Sequence, residues 1–182
     1  MNTNASTEAL VTCIMPTANR RAFVARAVEY FLRQTYEPRE LLVLDDGDDA
    51  VEDLMPPDGR VRYVRLKERL TVGAKRNLAC EQARGPIIAH WDDDDWHAPR
   101  RLSYQVSELL RTGAQVCGIN RLLFYDVRDG RGWQYAYPAG RKLWLSGSTL
   151  CYRREFWAGN RFAGVNVGED ARFVWAGRAA QM

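Results

Sequence analysis

Apolar and polar positions fall along this chain in blocks whose spacing changes every ten to fifteen residues or so. "LVTCIM" (10–15) is a short apolar and β-branched run stopped by Pro16, the pattern of a buried strand. "RRAFVARAVEYFLRQT" (20–35) then places Phe23, Val24, Ala27, Val28, Phe31 and Leu32 on one helical face. "ELLVLDD" (40–46) predicts a second strand ending in two aspartates, and "RVRYVRL" (60–66) alternates as a third. "TVGAKRNLACEQARG" (71–85) predicts a helix closed by Gly85, followed by a fourth strand in "PIIAHW" (86–91). "APRRLSYQVSELLRTG" (98–113) is amphipathic, with Leu102, Val106, Leu109 and Leu110 inward and Gly113 as its stop.

Strands alternating with helices through about residue 112 imply right-handed βαβ units and a mainly parallel sheet. The texture then changes. "QVCGINRLLFYDV" (115–127), "DGRG" (129–132) and "WQYAYP" (133–138) predict a strand, a turn and a returning strand, and so a hairpin-like extension. "KLWLSGSTLCY" (142–152) predicts another strand, "RREFW" (153–157) a short helix and "GEDARFVWAG" (168–177) a last one, with acidic residues in the turn where they suit the helix dipole. No repeat, low-complexity tract or linker interrupts the chain, so one domain over 1–182 is expected.

The 182 residues, 46% hydrophobic, are enough for one substantial core. A net charge of +3 without a block of consecutive basic residues longer than two does not indicate a nucleic-acid stripe. The four cysteines contain no CxxC pair and read as thiols of a reducing compartment. No secretory leader or run of about 20 apolar residues is evident, which makes a cytoplasmic protein without a transmembrane segment the expectation, compatible with peripheral membrane association.

"HWDDDDWHAP" changes the picture. Asp92 to Asp95 follow directly on the apolar run Ile87-Ile88-Ala89, where like charges repel and apolar neighbours oppose ionisation. Such a cluster calls for a positive partner: lysine and water, a metal ion, or a metal ion carrying a substrate. In open α/β sheets ligands bind beyond the carboxyl ends of the strands, and three polar clusters fall on that rim: "PTANRR", "DDGDD" and "DDDD". Carboxylate oxygens of this kind suit Mg²⁺ or Mn²⁺ completed by phosphate oxygens and water. Each cluster also has an ordinary reading. Asp45, Asp46 and Gly47 make a turn sequence, and the aspartate run suits a solvated loop that caps the next helix. Lys75 and Arg76 are either surface charges or diphosphate ligands, and His97 is an ordinary loop histidine. Of the six tryptophans, Trp96, Trp133 and Trp144 are the candidates for shaping an acceptor pocket; the rest read as packing.

In order and spacing these residues resemble the family 2 glycosyltransferases of the GT-A fold. "PTANRR" resembles that family's opening Pro-Thr-x-Asn-Arg, and "RQTYEPRELLVLDDGDD" its Gln-Thr-Tyr segment running into a strand that ends Asp-Asp-Gly. "VGAKRNLACEQARGPIIAHWDDDDWHAPRRL" resembles its Gly-x-x-x-Arg-Asn helix, the Asp-x-Asp-Asp motif and a Pro-x-x-Leu helix start, and "GEDARF" its Glu-Asp pair. The match runs from Val11 to Phe173. It implies an α/β, GT-A (Rossmann-like) fold with a mixed, mainly parallel sheet flanked by helices. It also implies a nucleotide-binding half at about 10–112 and an acceptor-side half at about 113–182.

The resemblance implies roles as well. Pro16, Thr17, Asp46 and Arg76 would line the nucleotide site, with Asp46 accepting from a base N–H. Asp92, Asp94 and Asp95 would hold the ribose and a divalent Mn²⁺ or Mg²⁺, with Asp94 and Asp95 as metal residues. The register of the run admits a shift of one position either way. Asp170 would be the catalytic base and Glu169 its support. The reaction implied is transfer of a sugar from a UDP-sugar or other NDP-sugar to a carbohydrate, lipid-linked or other hydroxyl acceptor, with inversion, because no second carboxylate offers itself as a nucleophile. Two departures stand out: Ala18 replaces a frequent aromatic, and the chain ends shortly after "DARFVWAG". The competing readings are a non-catalytic nucleotide-sugar-binding module and a metal-dependent phosphoryl-transfer enzyme.

Overall fold

The computed structural model describes residues 8–137 and 143–182. Its centre is a seven-stranded sheet in the order β3-β2-β1-β4-β8-β5-β9. The strands are β1 (Val11–Thr17), β2 (Arg39–Asp45), β3 (Val61–Arg65), β4 (Ile87–His90), β5 (Val116–Gly118), β8 (Cys151–Arg153) and β9 (Ala179–Gln181). Strands β1 to β4 pair in parallel, and β8 runs antiparallel between β4 and β5. β5 and β9 come from beyond residue 112, so both halves of the chain contribute to one sheet.

Alternation along the strands builds two cores. Val11, Cys13, Met15, Leu41 and Val43 face α1 (Arg21–Leu32) and α3 (Arg101–Thr112). Ile14, Leu42, Leu44 and Ile88 face α2 (Val72–Gln82), α4 (Arg154–Gly159) and α5 (Glu169–Trp175). With both faces covered, every residue of β2 is buried, which is why its sequence reads as a continuous run. Among the described residues no helix is long and apolar enough to cross a membrane.

Several boundaries differ from the sequence pattern, each for a physical reason. β1 continues through Pro16, because β4 pairs only with Val11 to Ile14 and the proline interrupts no ladder on that side. Phe23 and Leu110 are exposed; Phe23 lies under the Arg20 guanidinium, 4.9 Å from its centroid. Gly85 does not close α2, which ends at Gln82 with Ala83 extended. A Cβ at Gly85 would lie 2.3 Å from Leu10 O, so the glycine serves close approach to the chain entering β1. Gly113 does stop α3, at φ +63. The single strand expected over 115–127 is two: β5 joins the main sheet, while β6 (Arg121–Asp126) pairs with β7 (Arg131–Ala136) in a separate hairpin closed at Gly130. Residues 143–150 form no strand; they end in a 3-10 turn, Gly147–Thr149, ahead of β8. The ends of these two expected elements, Pro138 and Lys142, lie outside the described residues. β9 had no counterpart in the pattern. All four cysteines are buried and unbridged.

Candidate active site

Because β1, β2 and β4 run in parallel, their carboxyl ends share one rim. At the end of β2 the two aspartates divide the work. Asp45 is fully buried and accepts from Gly47 N (2.8 Å), Val51 N (3.2 Å) and Tyr63 Oη (2.9 Å), with Arg65 at 3.1 Å. It organises the turn, as the ordinary reading of that sequence expected. Asp46 is held by Lys75 through Oδ1 and by Leu70 N (2.8 Å) through Oδ2. Lys75 also donates to Thr17 O at 2.9 Å. That buried pair, Asp46–Lys75, joins the ends of β1 and β2 to α2. A Cβ at Gly47 would approach Asn19 N to 2.3 Å, so only glycine lets the two rim loops meet.

The four consecutive carboxylates do not form one cluster. Asp93 turns inward, accepting from Thr17 Oγ1 (2.6 Å) and Arg20 Nε (2.8 Å). Asp94 is exposed and pairs with Arg20. Asp92 is half-buried and lies 3.6 Å from Arg76 Nη2, too far for a hydrogen bond. Its Oδ1 and Arg76 Nε are the two buried side-chain polar atoms left without a hydrogen-bond partner among the described residues. Asp95 lies on the opposite side of the loop, against α3. The positive partners are thus arginines. Burial raises the Asp92 carboxyl to about 6, against the opposing pull of Arg76 and with help from Asp95 and Asp94. Burial also raises Asp93, opposed by Thr17 and Arg20.

Behind the loop, Trp91 is completely buried and donates to Ala27 O at 2.9 Å. His97 sits 4.0 Å from the Trp91 ring, takes a hydrogen bond from Arg101 on Nδ1 (2.7 Å) and faces Asp92 O with Nε2 (3.3 Å). Burial, with Arg101 adding to it, pushes His97 down to about 2. It is therefore a neutral support for the loop.

Arg76 ties the acidic loop to the last helix by pairing with Glu169, itself buried. Asp170, next in the chain, lies over Gly147, and its Oδ1 accepts from Ala171 N at 2.7 Å. The Gly147 carbonyl faces His90 Nδ1 at 2.5 Å, while His90 Nε2 faces Tyr152 Oη at 3.2 Å. With Nδ1–H donating to the carbonyl, Nε2 accepts from the tyrosine. Burial, then Arg76, lowers His90 well below its usual range, so it too is neutral. Arg101 donates to His90 O (2.7 Å) and Ser148 O (3.1 Å), fixing the same turn from the other side.

The result is a cleft of about 290 Å³ lined by Pro16, Thr17, Arg20, Lys75, Arg76 and Asp92 to Asp94, among others. Of the residues singled out from the sequence, Pro16, Thr17, Lys75, Arg76, Asp92 and Asp94 line it directly. Asp46 lies beneath it through Lys75, Glu169 connects to it through Arg76, and Asp170 is not on its lining but lies over Gly147. Asp95 and Trp96 line a separate groove, and Trp133 and Trp144 belong to the hairpin region. Residues the sequence did not single out are Arg20, His90, Arg101 and Gly147. The visible signal for His90 was a lone polar residue closing an apolar strand.

Among the described residues no three Asp, Glu, His or Cys side chains converge into a ready-made metal cage. A divalent cation carried on phosphate oxygens needs only one or two protein carboxylates, however, and the orphaned Asp92 Oδ1 and exposed Asp94 are donors of that kind. The N-terminus of α2 is satisfied by protein, Val72 N on Asn166 Oδ1 (2.9 Å) and Gly73 N on Val165 O (3.1 Å), so anion binding in the cleft falls to side chains.

Residues 12–168 match the profile of Glycosyl transferase family 2. WcaA of Escherichia coli (strain K12), assigned by name to colanic acid biosynthesis as a glycosyl transferase, is 29% identical over 93% of this chain and 58% of its own. WfgD of Escherichia coli, named as a UDP-Glc:α-D-GlcNAc-diphosphoundecaprenol β-1,3-glucosyltransferase, is 31% identical over 56% of this chain and 42% of its own. Among solved structures, the mannosyltransferase PcManGT from Pyrobaculum calidifontis, in complex with GDP-Man and Mn²⁺, superposes with a TM-score of 0.72 at 18% identity, covering 97% of this chain and 55% of that one. Residues 1–349 of S. aureus TarS, in complex with UDP, superpose at 0.69 and 17% identity, covering 94% and 57%. At these identities the structural likeness speaks to the fold, which is that of GT-A glycosyltransferases. The chain spans about half the length of these relatives, from 42% of WfgD to 58% of WcaA.

Proposed function

The chain belongs to glycosyl transferase family 2, and from that membership and the geometry of its site we propose that it transfers a sugar from a nucleoside-diphosphate sugar to an acceptor hydroxyl with inversion. The observation that carries this reading is the pair of contacts by which Arg76, on the lining of the cleft, joins Asp92 to Glu169, the residue before Asp170, with Asp92 Oδ1 lacking a hydrogen-bond donor. Support comes also from the sugar nucleotides named with the structural neighbours, GDP-Man with Mn²⁺ and UDP.

Pro16, Thr17 and Arg76, on the lining of the cleft, would take the nucleotide, and Asp46 beneath it would fix Lys75 at the same site. Asp92 and Asp94 would hold Mn²⁺ or Mg²⁺ against the diphosphate, with Asp95 as the alternative ligand if the loop rotates. When bound, the cation stabilises charge on the departing nucleoside diphosphate. Arg76 stabilises negative charge from the protein side, its Nε being available for it. Asp170 takes the proton from the attacking acceptor hydroxyl. Glu169, paired with Arg76, positions the start of α5 and with it Asp170. With the cleft carboxylates assigned to the cation and to Arg20, this reading takes the transfer as a single displacement with inversion.

A thermal-shift panel of nucleoside diphosphates with and without Mn²⁺ tests the binding half of the reading. A ligand at 100 times its Kd adds about 2.7 kcal/mol, a rise in Tm of about 5–10 °C. The shift is expected only with the metal and is lost in Asp92→Ala/Asp94→Ala; a shift in that double variant equal to wild type overturns the metal site. Asp170→Asn is expected to keep the nucleotide shift and lose transfer. Undiminished transfer removes Asp170 from the base role, and nucleotide binding without transfer or donor hydrolysis over an acceptor panel makes the chain a binding module.

A further inference from the structure

Three basic side chains line the cleft, and they are not equally free to change partner. Lys75 and Arg76 are buried, and each is paired with a carboxylate that is also buried, Asp46 and Glu169. Breaking such a pair strands a charge away from water, so both pairs persist when a ligand arrives. Arg20 differs. Its side chain is 39% exposed, and its guanidinium is divided between two unlike carboxylates. Nε donates to Asp93 Oδ1 at 2.8 Å, and Asp93 is buried and also accepts from Thr17 Oγ1. Nη2 donates to Asp94, whose side chain is 48% exposed and has no other hydrogen-bond or ion-pair partner among the described residues. Nη1 has no acceptor among them.

The rest of the residue is fixed. Its carbonyl accepts from Phe23 N (2.9 Å) and Val24 N (3.3 Å) at the start of α1, and its guanidinium carbon lies 4.9 Å from the centre of the Phe23 ring. The guanidinium is therefore anchored at Nε and along one face, which leaves its two terminal nitrogens as the movable end. An exposed ion pair contributes little, so the contact to Asp94 is exchangeable. A guanidinium also presents phosphate oxygens with a planar fork of two donors. The backbone donors at the start of α2 are already taken, so a phosphate group in this cleft has to find side chains.

We propose that Arg20 is a diphosphate-binding residue held in reserve on Asp94. In the protein without ligand it covers the carboxylate that a cation needs, and on binding it trades that carboxylate for phosphate oxygens. This rests on the transferase reading, in which a cation and a nucleoside diphosphate share the cleft. Asp94 cannot serve Arg20 and a cation together, so Arg20 opposes binding of the cation alone. A diphosphate gives Arg20 a new partner and removes that opposition, so cation and nucleotide bind better together than either does alone.

The test compares the whole chain with its Arg20→Gln and Arg20→Lys variants. Free Mn²⁺ is followed by electron paramagnetic resonance without nucleotide, and UDP and GDP are titrated by calorimetry at saturating Mn²⁺. In Arg20→Gln, Mn²⁺ alone is expected to bind at least about threefold tighter, because a positive charge beside Asp94 is gone. The nucleotide that wild type binds is expected to bind this variant at least about tenfold more weakly. Arg20→Lys keeps the charge and loses the fork, so Mn²⁺ alone should bind as in wild type and the nucleotide more weakly. A merely structural Arg20 does not give opposite signs: its loss weakens both ligands together or neither, and either result in Arg20→Gln overturns the proposal. Tighter Mn²⁺ with unchanged nucleotide makes Arg20 a plain counter-ion, and weaker nucleotide with unchanged Mn²⁺ makes it a ligand without exchange; each overturns it as well. If neither UDP nor GDP binds wild type with Mn²⁺, the transferase reading fails and this proposal with it. Nucleotide binding in wild type with the wrong signs in Arg20→Gln sinks the proposal alone.

Discussion

A methyl group at position 147 would lie 2.4 Å from Asp170 Oδ2 and 3.1 Å from its Cγ. Glycine is therefore required there by the neighbouring carboxylate; Gly147 is not among the glycines with positive φ. The backbone cannot retreat cheaply, because His90 holds the Gly147 carbonyl and Arg101 holds that of Ser148. Gly147→Ala should accordingly turn Asp170 away from its position and lower kcat by up to about 100-fold, the scale of an ångström-sized misplacement, with nucleotide affinity retained. Steady-state kinetics beside nucleotide titration checks this, and an unaltered kcat would mean that Asp170 is not positioned through Gly147. At this scale the sequence showed the carboxylates and little of what holds them. The start of α5 with its two acidic residues was legible from "GED", and the Asp45 turn from "DDG". The partners of Asp170 arrive from far along the chain, His90 reaching Gly147 across 57 positions, and no local pattern encodes such contacts. The four adjacent aspartates promised one cluster; Asp92 to Asp94 do line one cleft, Asp93 and Asp94 sharing Arg20, while Asp95 turns to a separate groove.

Helix α2 shows how an element can be legible in extent and opaque in cause. Its helical periodicity is weak, yet it is fixed at its first turn. Thr71 caps Ala74 N (3.3 Å), Asn166 and Val165 satisfy Val72 N and Gly73 N, and a Cβ at Gly73 would fall 1.8 Å from Ala163 O. The 163–166 segment is thus packed onto the helix that carries Lys75 and Arg76. Gly73→Ala should cost about 1–3 kcal/mol through overpacking, and Asn166→Ala about 1 kcal/mol through the lost cap. Urea unfolding at constant m-value measures both; a Gly73→Ala protein as stable as wild type would show that the segment moves aside at no cost. Strongly amphipathic or fully apolar elements, α1, α3, β1, β2 and β4, were read to within a few residues because their own side chains determine burial. β5 and β9 were missed or merged because three-residue strands carry too little pattern. Their pairing is set by the sheet edge they meet.

Acid sensitivity belongs to the molecule as a whole, because it sums groups from both halves of the site. Both histidines in the chain are buried and neutral, with His90 depressed well below 6.5 and His97 to about 2. For each, the unfolded chain takes up a proton below about pH 6.5 while the folded protein does not. Stability is therefore full above that pH and is lost as pH falls towards the folded values. For His97 this removes about 2 kcal/mol between pH 7 and 5, and His90 acts in the same direction. Asp92 acts in the opposite sense. Its carboxyl is raised to about 6, so the folded protein binds a proton the unfolded chain lacks between pH 6 and 3.8, and stability recovers by about 1 kcal/mol over the same interval. Asp93, also raised, adds to that recovery. The two histidines together outweigh the carboxyls, so the metal-free protein should lose stability from pH 7 to 5. Denaturant midpoints at the two pH values measure it. His97→Gln should lessen the loss, and Asp92→Asn should steepen it. Stability that holds constant or rises from pH 7 to 5 would mean that the histidines become charged in the folded state, and the neutral supports assigned beneath the acidic loop and at Gly147 would have to be abandoned.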